Sequence, residues 1–317
     1  MSDAPASRRQ ATSGSEADRS LLLDPRTLAQ IKSLTLRVNR VVDGVLQGVH
    51  RSPHHGRSVE FAEHKDYTPG DDARHIDWRA LARLDKLYVK RFELETNLVA
   101  WFAMDVSGSM SYGAQGTLNK HDYAATMLAS LAFLLLRQQD AVGMVSFGAE
   151  VEAVVPPRNQ LSQLKRITDA LEANQPTGET CLEAGLERVA EAANKRGLVF
   201  VFSDLFGDAD RALKLLRQMV SKGHTVTVFH VLDGDELTFP FEGVVNFEGI
   251  EHKRRLLAEP RLVRERYLAA MDAHQRTIRQ RCLEAKIRHV MVDTRDPLDR
   301  VILGFLGALE GRGSTQT

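Results

Sequence analysis

The sequence predicts an α/β fold, a doubly wound and mostly parallel sheet of Rossmann-like layout with helices on both faces. Three observations predict it. Continuous apolar runs at LVAWFAM (98–104), GLVFVFSD (197–204) and HTVTVFHVL (224–232) read as strands. Parallel strands lie between two helical layers, so they carry no polar side. Segments of helical spacing separate the runs, at about 119–138, 160–172, 180–195 and 208–222, and this alternation is how parallel sheets are built. Two of the runs end in an aspartate, Asp105 and Asp204, at the strand ends where such sheets gather ligands.

The elements follow in order. Residues 1–19 are polar and without periodicity, and read as a disordered tail. Residues 20–95 form an N-terminal segment expected to pack on the main domain, which spans 96–312, with 313–317 as a short tail. Within that segment, Leu28, Ile31, Leu34, Leu36, Val38, Val41 and Val42 show helical spacing, before a turn-rich stretch around Pro53 and Gly56. AVGMVSF (141–147) and VEAVV (151–155) read as two strands around a turn at Gly148. Residues 233–260 break the alternation and look like a small β-rich insertion, whose run Lys253, Arg254, Arg255 reads as a solvated turn. A long helix at about 260–285, a strand IRHVMVDT (287–294) and a closing helix from Pro297 to about 310 complete the chain.

Bulk properties exclude several classes. Lys+Arg and Asp+Glu each number 42, so net charge supplies no attraction to nucleic acid or to an anionic membrane. The only cysteines, Cys181 and Cys282, lie far apart, against a disulfide scaffold or thiolate zinc site and in keeping with a reducing cytoplasm. The N-terminus has no apolar core of a secretory signal. The most apolar helix, Tyr123 to Leu136, carries Thr126 and Ser130 and falls short of the ~20 apolar residues that span a bilayer. A cytoplasmic protein without membrane insertion is expected. No GxxxxGK[ST] phosphate loop occurs, which argues against ATP hydrolysis by this chain itself. His54 and His55 sit in a turn, His64 and His75 lack zinc-helix spacing, and Met104, Met110, Met127 and Met144 read as core.

The chemistry concentrates in Asp105-Val106-Ser107-Gly108-Ser109, directly after the first buried strand. One carboxylate and two hydroxyls at alternate positions, with Gly108 easing the turn, can aim three oxygens at one point, which suits a hard cation such as Mg²⁺. Alone, the pattern is common after any strand. Asp204 at another strand end and Thr180 at the mouth of a helix extend it to a divided oxygen site. Thr180 with Glu183 also makes a capping-box candidate, so two roles stand open for it.

With these residues the chain resembles the von Willebrand factor A family and its metal-ion-dependent adhesion site (MIDAS). The resemblance implies Asp105, Ser107, Ser109, Thr180 and Asp204 as metal-site residues for Mg²⁺ or Mn²⁺. Thr177 lies near Thr180, which is preferred because AGLERVA follows it at the family's helical spacing. Leu205 stands where the family often has glycine. The segment DYTPGDDARHIDWRALAR (66–83) is similar to the hallmark of a bacterial domain-of-unknown-function family that joins it to an A-type domain. Lys65 stands where arginine is common in that hallmark. Its Tyr67, Pro69, Gly70, Asp71, Asp72, Arg74, Asp77, Trp78 and Arg83 offer a turn, several ion pairs and an aromatic anchor, either to clamp the N-terminal segment or to meet a partner.

The resemblance implies a chaperone-like partner of a MoxR-type AAA+ ATPase. It would bind a carboxylate of that ATPase or of a client protein through the metal, and would not itself be an enzyme. Two rivals stand beside this reading. One is a metal-dependent phosphohydrolase with Asp105 as phosphoryl acceptor, although the aspartate expected two residues later is Ser107. The other is a structural scaffold with an idle metal site.

Overall fold

A computed structural model describes residues 24–51, 65–66, 88–89, 98–250 and 255–313. In chain order these form α1 (Pro25–Ala29), α2 (Leu34–Arg51), β1 (Lys65–Asp66), β2 (Tyr88–Val89), β3 (Val99–Asp105), a 3-10 turn (Gly108–Ser111) and α3 (Lys120–Arg137). Next come β4 (Ala141–Phe147), β5 (Val151–Arg158), α4 (Ser162–Ala173), α5 (Leu182–Ala192), β6 (Leu198–Ser203), α6 (Ala209–Ser221) and β7 (Thr225–Leu232). The chain then continues through α7 (Gly234–Thr238), β8 (Val245–Glu248), β9 (Arg255–Ala258), α8 (Pro260–Glu284), β10 (Arg288–Asp293) and α9 (Leu298–Gly313).

The chain divides into two units, Met1–Gly48 with Leu98–Thr317, and Val49–Asn97. In the second, β1 and β2 pair antiparallel, Lys65 with Val89 and Asp66 with Tyr88. Residues 24–48, which the sequence pattern groups with 20–95, thus belong to the unit that holds the main sheet.

That sheet runs β10-β7-β6-β3-β4-β5. All its neighbours are parallel except the edge strand β5, which returns antiparallel along β4 from the turn at Gly148. From β3 the chain builds outward through β4 and β5, then returns to the other side of β3 to build β6, β7 and β10. The order therefore reverses between β3 and β6, the kind of place where open α/β sheets gather ligands.

Alternation along β3 feeds two cores. Trp101 and Ala103 join Phe147, Val199 and Val201 beneath Leu186 of α5, Leu216 of α6 and Ile278 of α8. On the opposite face Phe102 and Phe200 have ring centroids 5.0 Å apart, Phe202 stacks on Phe229 at 4.7 Å, and Phe305 of α9 meets Phe229 edge-on at 5.1 Å. Helix α2 buries the stripe Leu34, Val38, Val41, Val42 and Val45, one face of an amphipathic helix. Its Arg37 pairs with Asp122 of α3 at 3.1 Å, and the Leu34 N–H donates to Glu172 of α4 at 3.0 Å.

The insertion holds one element that its sequence pattern does not announce. β8 and β9, an antiparallel pair, are the short strands of the expected β-rich insertion, but α7 precedes them, started by a capping box between Asp233 and Glu236. Five residues are too few to show a helical period, so only the D-x-x-E spacing carries that signal. Among the described residues no helix is long and apolar enough to cross a membrane.

Candidate metal site at the switch point

Asp105 ends β3 and is fully buried. Its Oδ1 accepts the Ser107 N–H at 2.9 Å and its Oδ2 accepts the Ser203 hydroxyl, from the end of β6, at 2.6 Å. The turn this creates brings the Ser107 and Ser109 hydroxyl oxygens to 3.2 Å from each other. Two hydroxyls so close, beside a buried carboxylate, make a compact oxygen cluster.

Backbone bonds hold the neighbouring loops to this turn. The Val106 N–H donates to the Phe147 carbonyl at 2.8 Å, Gly108 to Gly178 at 2.9 Å, Thr177 to Val106 at 3.0 Å and Cys181 to Gly148 at 2.7 Å. The segment 177–181 is thereby tied both to the Asp105 loop and to the Gly148 turn. Thr180 lies within it, outside α5, whose N-cap residue is Cys181. The capping box that the sequence offers as a second role for Thr180 does not form, and Glu183 instead pairs with Arg211 at 3.2 Å. A methyl group placed on Gly207 would stand 3.3 Å from the Thr180 Cγ2, so the loop after β6 meets Thr180 from the other side. Thr177 contributes its backbone to the loop clamp.

Asp204 follows β6 and is 1% exposed. Its Oδ1 accepts the Phe206 N–H at 3.2 Å, its Oδ2 accepts the Lys120 ammonium at 2.7 Å, and its carbonyl meets the Nε2 of His230 at 2.9 Å. That contact makes Nε2 the protonated nitrogen of His230, leaving Nδ1 to accept from the Nε2 of His289 at 3.3 Å. Burial, and then the neighbouring His289 and His274, hold His230 neutral by pushing its pKa down to about 3.

Leu205, where the resemblance expects glycine, has φ of 55° and is fully buried. Leucine here adopts the left-handed conformation that glycine takes without strain, so the loop bends as a glycine would bend it. The strain costs about 1–2 kcal/mol, and burial of the side chain offsets it at about 2–3 kcal/mol. Leu205→Gly is expected to lower stability by about 1–2 kcal/mol, once the cavity term is included, as read by urea unfolding. A gain in stability would show that the side chain contributes little.

The two carboxylates work against each other. Burial, and then the negative charge of Asp204, raise Asp105 to about 7, against the hydrogen bonds from Ser203 and Ser107 that favour its ionised form. A divalent cation between these groups would remove that conflict, and the donor set of two carboxylates and three hydroxyls suits a hard ion that keeps some of its water. The residues present therefore fit Mg²⁺ or Mn²⁺. Among the described residues no cluster of three or more His, Cys, Asp or Glu side chains is arranged to hold a metal, and among them hydroxyls would complete the donor set.

Three members of this neighbourhood escape sequence reasoning: Ser203, Lys120 and Glu236. Lys120 is fully buried and reaches both Asp204 and Glu236 at 2.7 Å. Its signal is a cation in the first turn of an apolar helix, where the helix dipole opposes positive charge and a counter-charge must compensate. Tyr67, Pro69, Gly70, Asp71, Asp72, Arg74, Asp77, Trp78 and Arg83 lie outside the described residues, as do Lys253 and Arg254.

Uncharacterized protein Mb1516 of Mycobacterium bovis is 28% identical over 267 residues, covering 81% of this chain and 82% of its own length. Among solved structures the chain is similar to the conserved hypothetical protein BatB from Bacteroides thetaiotaomicron, with a TM-score of 0.45 and 16% identity over 68% of this chain and 99% of that one. It is also similar to the SpRpn10 VWA domain, with a TM-score of 0.40 and 11% identity over 65% of this chain and 93% of that one. Residues 63–277 match the family model described as "Protein of unknown function DUF58". The chain belongs to the DUF58 family.

Proposed function

We propose that this chain is a binding protein that uses a divalent cation, Mg²⁺ or Mn²⁺, to recognise a carboxylate on a protein partner. One observation supports the reading: the loops that carry Asp105, Ser107 and Ser109, that carry Thr180, and that carry Asp204 meet at the switch point between β3 and β6. Those five residues would hold the ion, which when bound supplies an electrophilic centre for an oxygen of the partner. The protein's own part is to hold the oxygens in place. In this reading the partner is a MoxR-type AAA+ ATPase or its client, and ATP use belongs to the ATPase.

Recognition is favoured over phosphoryl transfer by the residue two positions after Asp105. A phosphoryl acceptor of that kind works with an aspartate two residues on as general acid, and here that position is Ser107, which supplies a hydroxyl to the cluster instead. The scaffold reading is separated from binding by metal dependence.

The test is a pull-down from native lysate in Mg²⁺ or in EDTA, with wild type and Asp105→Ala. Retention of an ATPase or client only with Mg²⁺ and intact Asp105 is the expected result. Equal retention in all four conditions would sink the bridging mechanism and leave a scaffold. Phosphatase activity lost in Asp105→Asn would replace it with catalysis.

A further inference from the structure

We propose that Lys120 is a fixed internal cation that weakens the site's hold on a divalent ion while it positions the Asp204 carboxylate. The inference rests on the metal reading above and adds a residue that sets the affinity.

Lysine is seldom fully buried unless paired, and here the pairing is double. The Nζ lies 2.7 Å from Asp204 Oδ2 and 2.7 Å from Glu236 Oε1, and it stands 4.9 Å from the centroid of the Phe206 ring. Each partner is itself held. The second oxygen of Glu236 accepts the Asp233 N–H at 2.8 Å, closing the capping box of α7. The Lys120 N–H donates to the Tyr112 carbonyl at 2.9 Å, just past the turn that carries Ser109. The ammonium is thus fixed at both ends of its chain, unlike a mobile surface lysine.

Two consequences follow for an ion bound by Asp105, Ser107, Ser109, Thr180 and Asp204. Lys120 occupies one oxygen of Asp204, so that carboxylate cannot turn to present both oxygens to the ion. The ammonium also changes the local charge. Asp105, Asp204 and Glu236 with Lys120 leave two negative charges when ionised, matched by one divalent cation; without Lys120 there would be three. In a buried setting a like charge this close to an ion's ligand acts with little screening. A purely structural buried pair can usually be replaced by apolar groups with little loss. Lys120, in contrast, sits on a carboxylate of the site itself.

The probe is Mn²⁺ alone, titrated into the full chain and read by calorimetry and by the EPR signal of free ion, with circular dichroism as the fold control. Lys120→Met is expected to bind Mn²⁺ at least tenfold more tightly than wild type, and to melt lower in EDTA but recover on adding Mn²⁺. Lys120→Met with Glu236→Gln restores two negative charges and is expected to return within threefold of wild type. Glu236→Gln alone keeps the Lys120–Asp204 pair and is expected to bind at least threefold more weakly. It decides the matter if Lys120→Met does not fold. Unchanged or weaker binding by folded Lys120→Met, or unchanged binding by Glu236→Gln, overturns the role of Lys120 while wild-type binding leaves the metal site standing. Absence of Mn²⁺ binding in wild type and every variant removes both readings.

Discussion

In EDTA at pH 8, Asp105→Asn is expected to be more stable than wild type by about 2–3 kcal/mol, and to lose any stabilisation by Mg²⁺. The first effect follows from the cost of an ionised Asp105. Its pKa stands near 7 in the folded protein, raised from 3.8 by burial and by Asp204, and each unit corresponds to about 1.4 kcal/mol. Asparagine is the neutral mimic. Its oxygen can accept the Ser107 N–H, and its amide can donate to Ser203 in place of the hydroxyl bond at 2.6 Å. Two hydrogen bonds to a charged group become neutral ones, and this takes back roughly 2 kcal/mol of the ~4.5 kcal/mol difference.

The sign of the pH dependence is fixed by the same shift. A folded pKa above the unfolded one means that the folded state holds the proton longer. Wild-type stability in EDTA therefore falls as pH rises from about 4 to about 7 on account of Asp105, whereas the variant lacks that slope. His230 acts in the opposite direction. Its pKa is depressed to about 3 from 6.5, so its contribution is present above pH 6.5 and is lost as pH falls toward 3. The two slopes oppose each other between about pH 4 and 6.5, and Asp105→Asn should expose the acid sensitivity that Asp105 masks in wild type. Melting curves from pH 4 to 8, with and without Mg²⁺, measure all of this. A variant less stable than wild type at pH 8 in EDTA would show that Asp105 is not strained by its charge.

Gly185→Ala is expected to destabilise by about 1–3 kcal/mol, although alanine is the better helix former by about 1 kcal/mol. Gly185 lies inside α5, and a Cβ there would overlap Cγ and Cδ1 of the Phe147 ring. Phe147 is fully buried at the end of β4, so neither partner can yield without moving the helix against the sheet. Such a shift reaches the site, since Thr180 lies two residues before α5, and Mn²⁺ affinity should fall together with stability. Gly307→Ala in α9 is the control: nothing lies within 4 Å of its added carbon, so it should be neutral or stabilising by up to ~1 kcal/mol. Equal behaviour of the two variants would show that the close approach at Gly185 is relieved cheaply.

Much of this geometry is legible in one dimension because it is periodic or terminal. LVAWFAM and GLVFVFSD have the continuous apolar character of central strands, and aspartates at their ends point to the switch point. Leu205 is harder to read. Its identity argues against a left-handed turn, and only the folded loop shows that burial compensates for the strain. Ser203 looks like an ordinary strand residue until the sheet places its hydroxyl on Asp105. Lys120 and Glu236 are 116 positions apart, and no local spacing announces a contact of that kind. Helix α7 is likewise too short to leave a period. What sequence conveys poorly here is charge meeting charge between distant segments, which tertiary packing alone decides.

The backbone bonds that join Val106 to Phe147, Gly108 to Gly178, Thr177 to Val106 and Cys181 to Gly148 also bear on kinetics. Once the sheet has formed, the loops that carry Asp105 and Thr180 are already in register, so if a partner docks on them as proposed, little ordering entropy would remain to be lost. Encounter can then proceed as a rigid-body collision, its speed governed by diffusion and salt. Differences in affinity among partners, or among variants of one partner, should accordingly be written in how fast they leave.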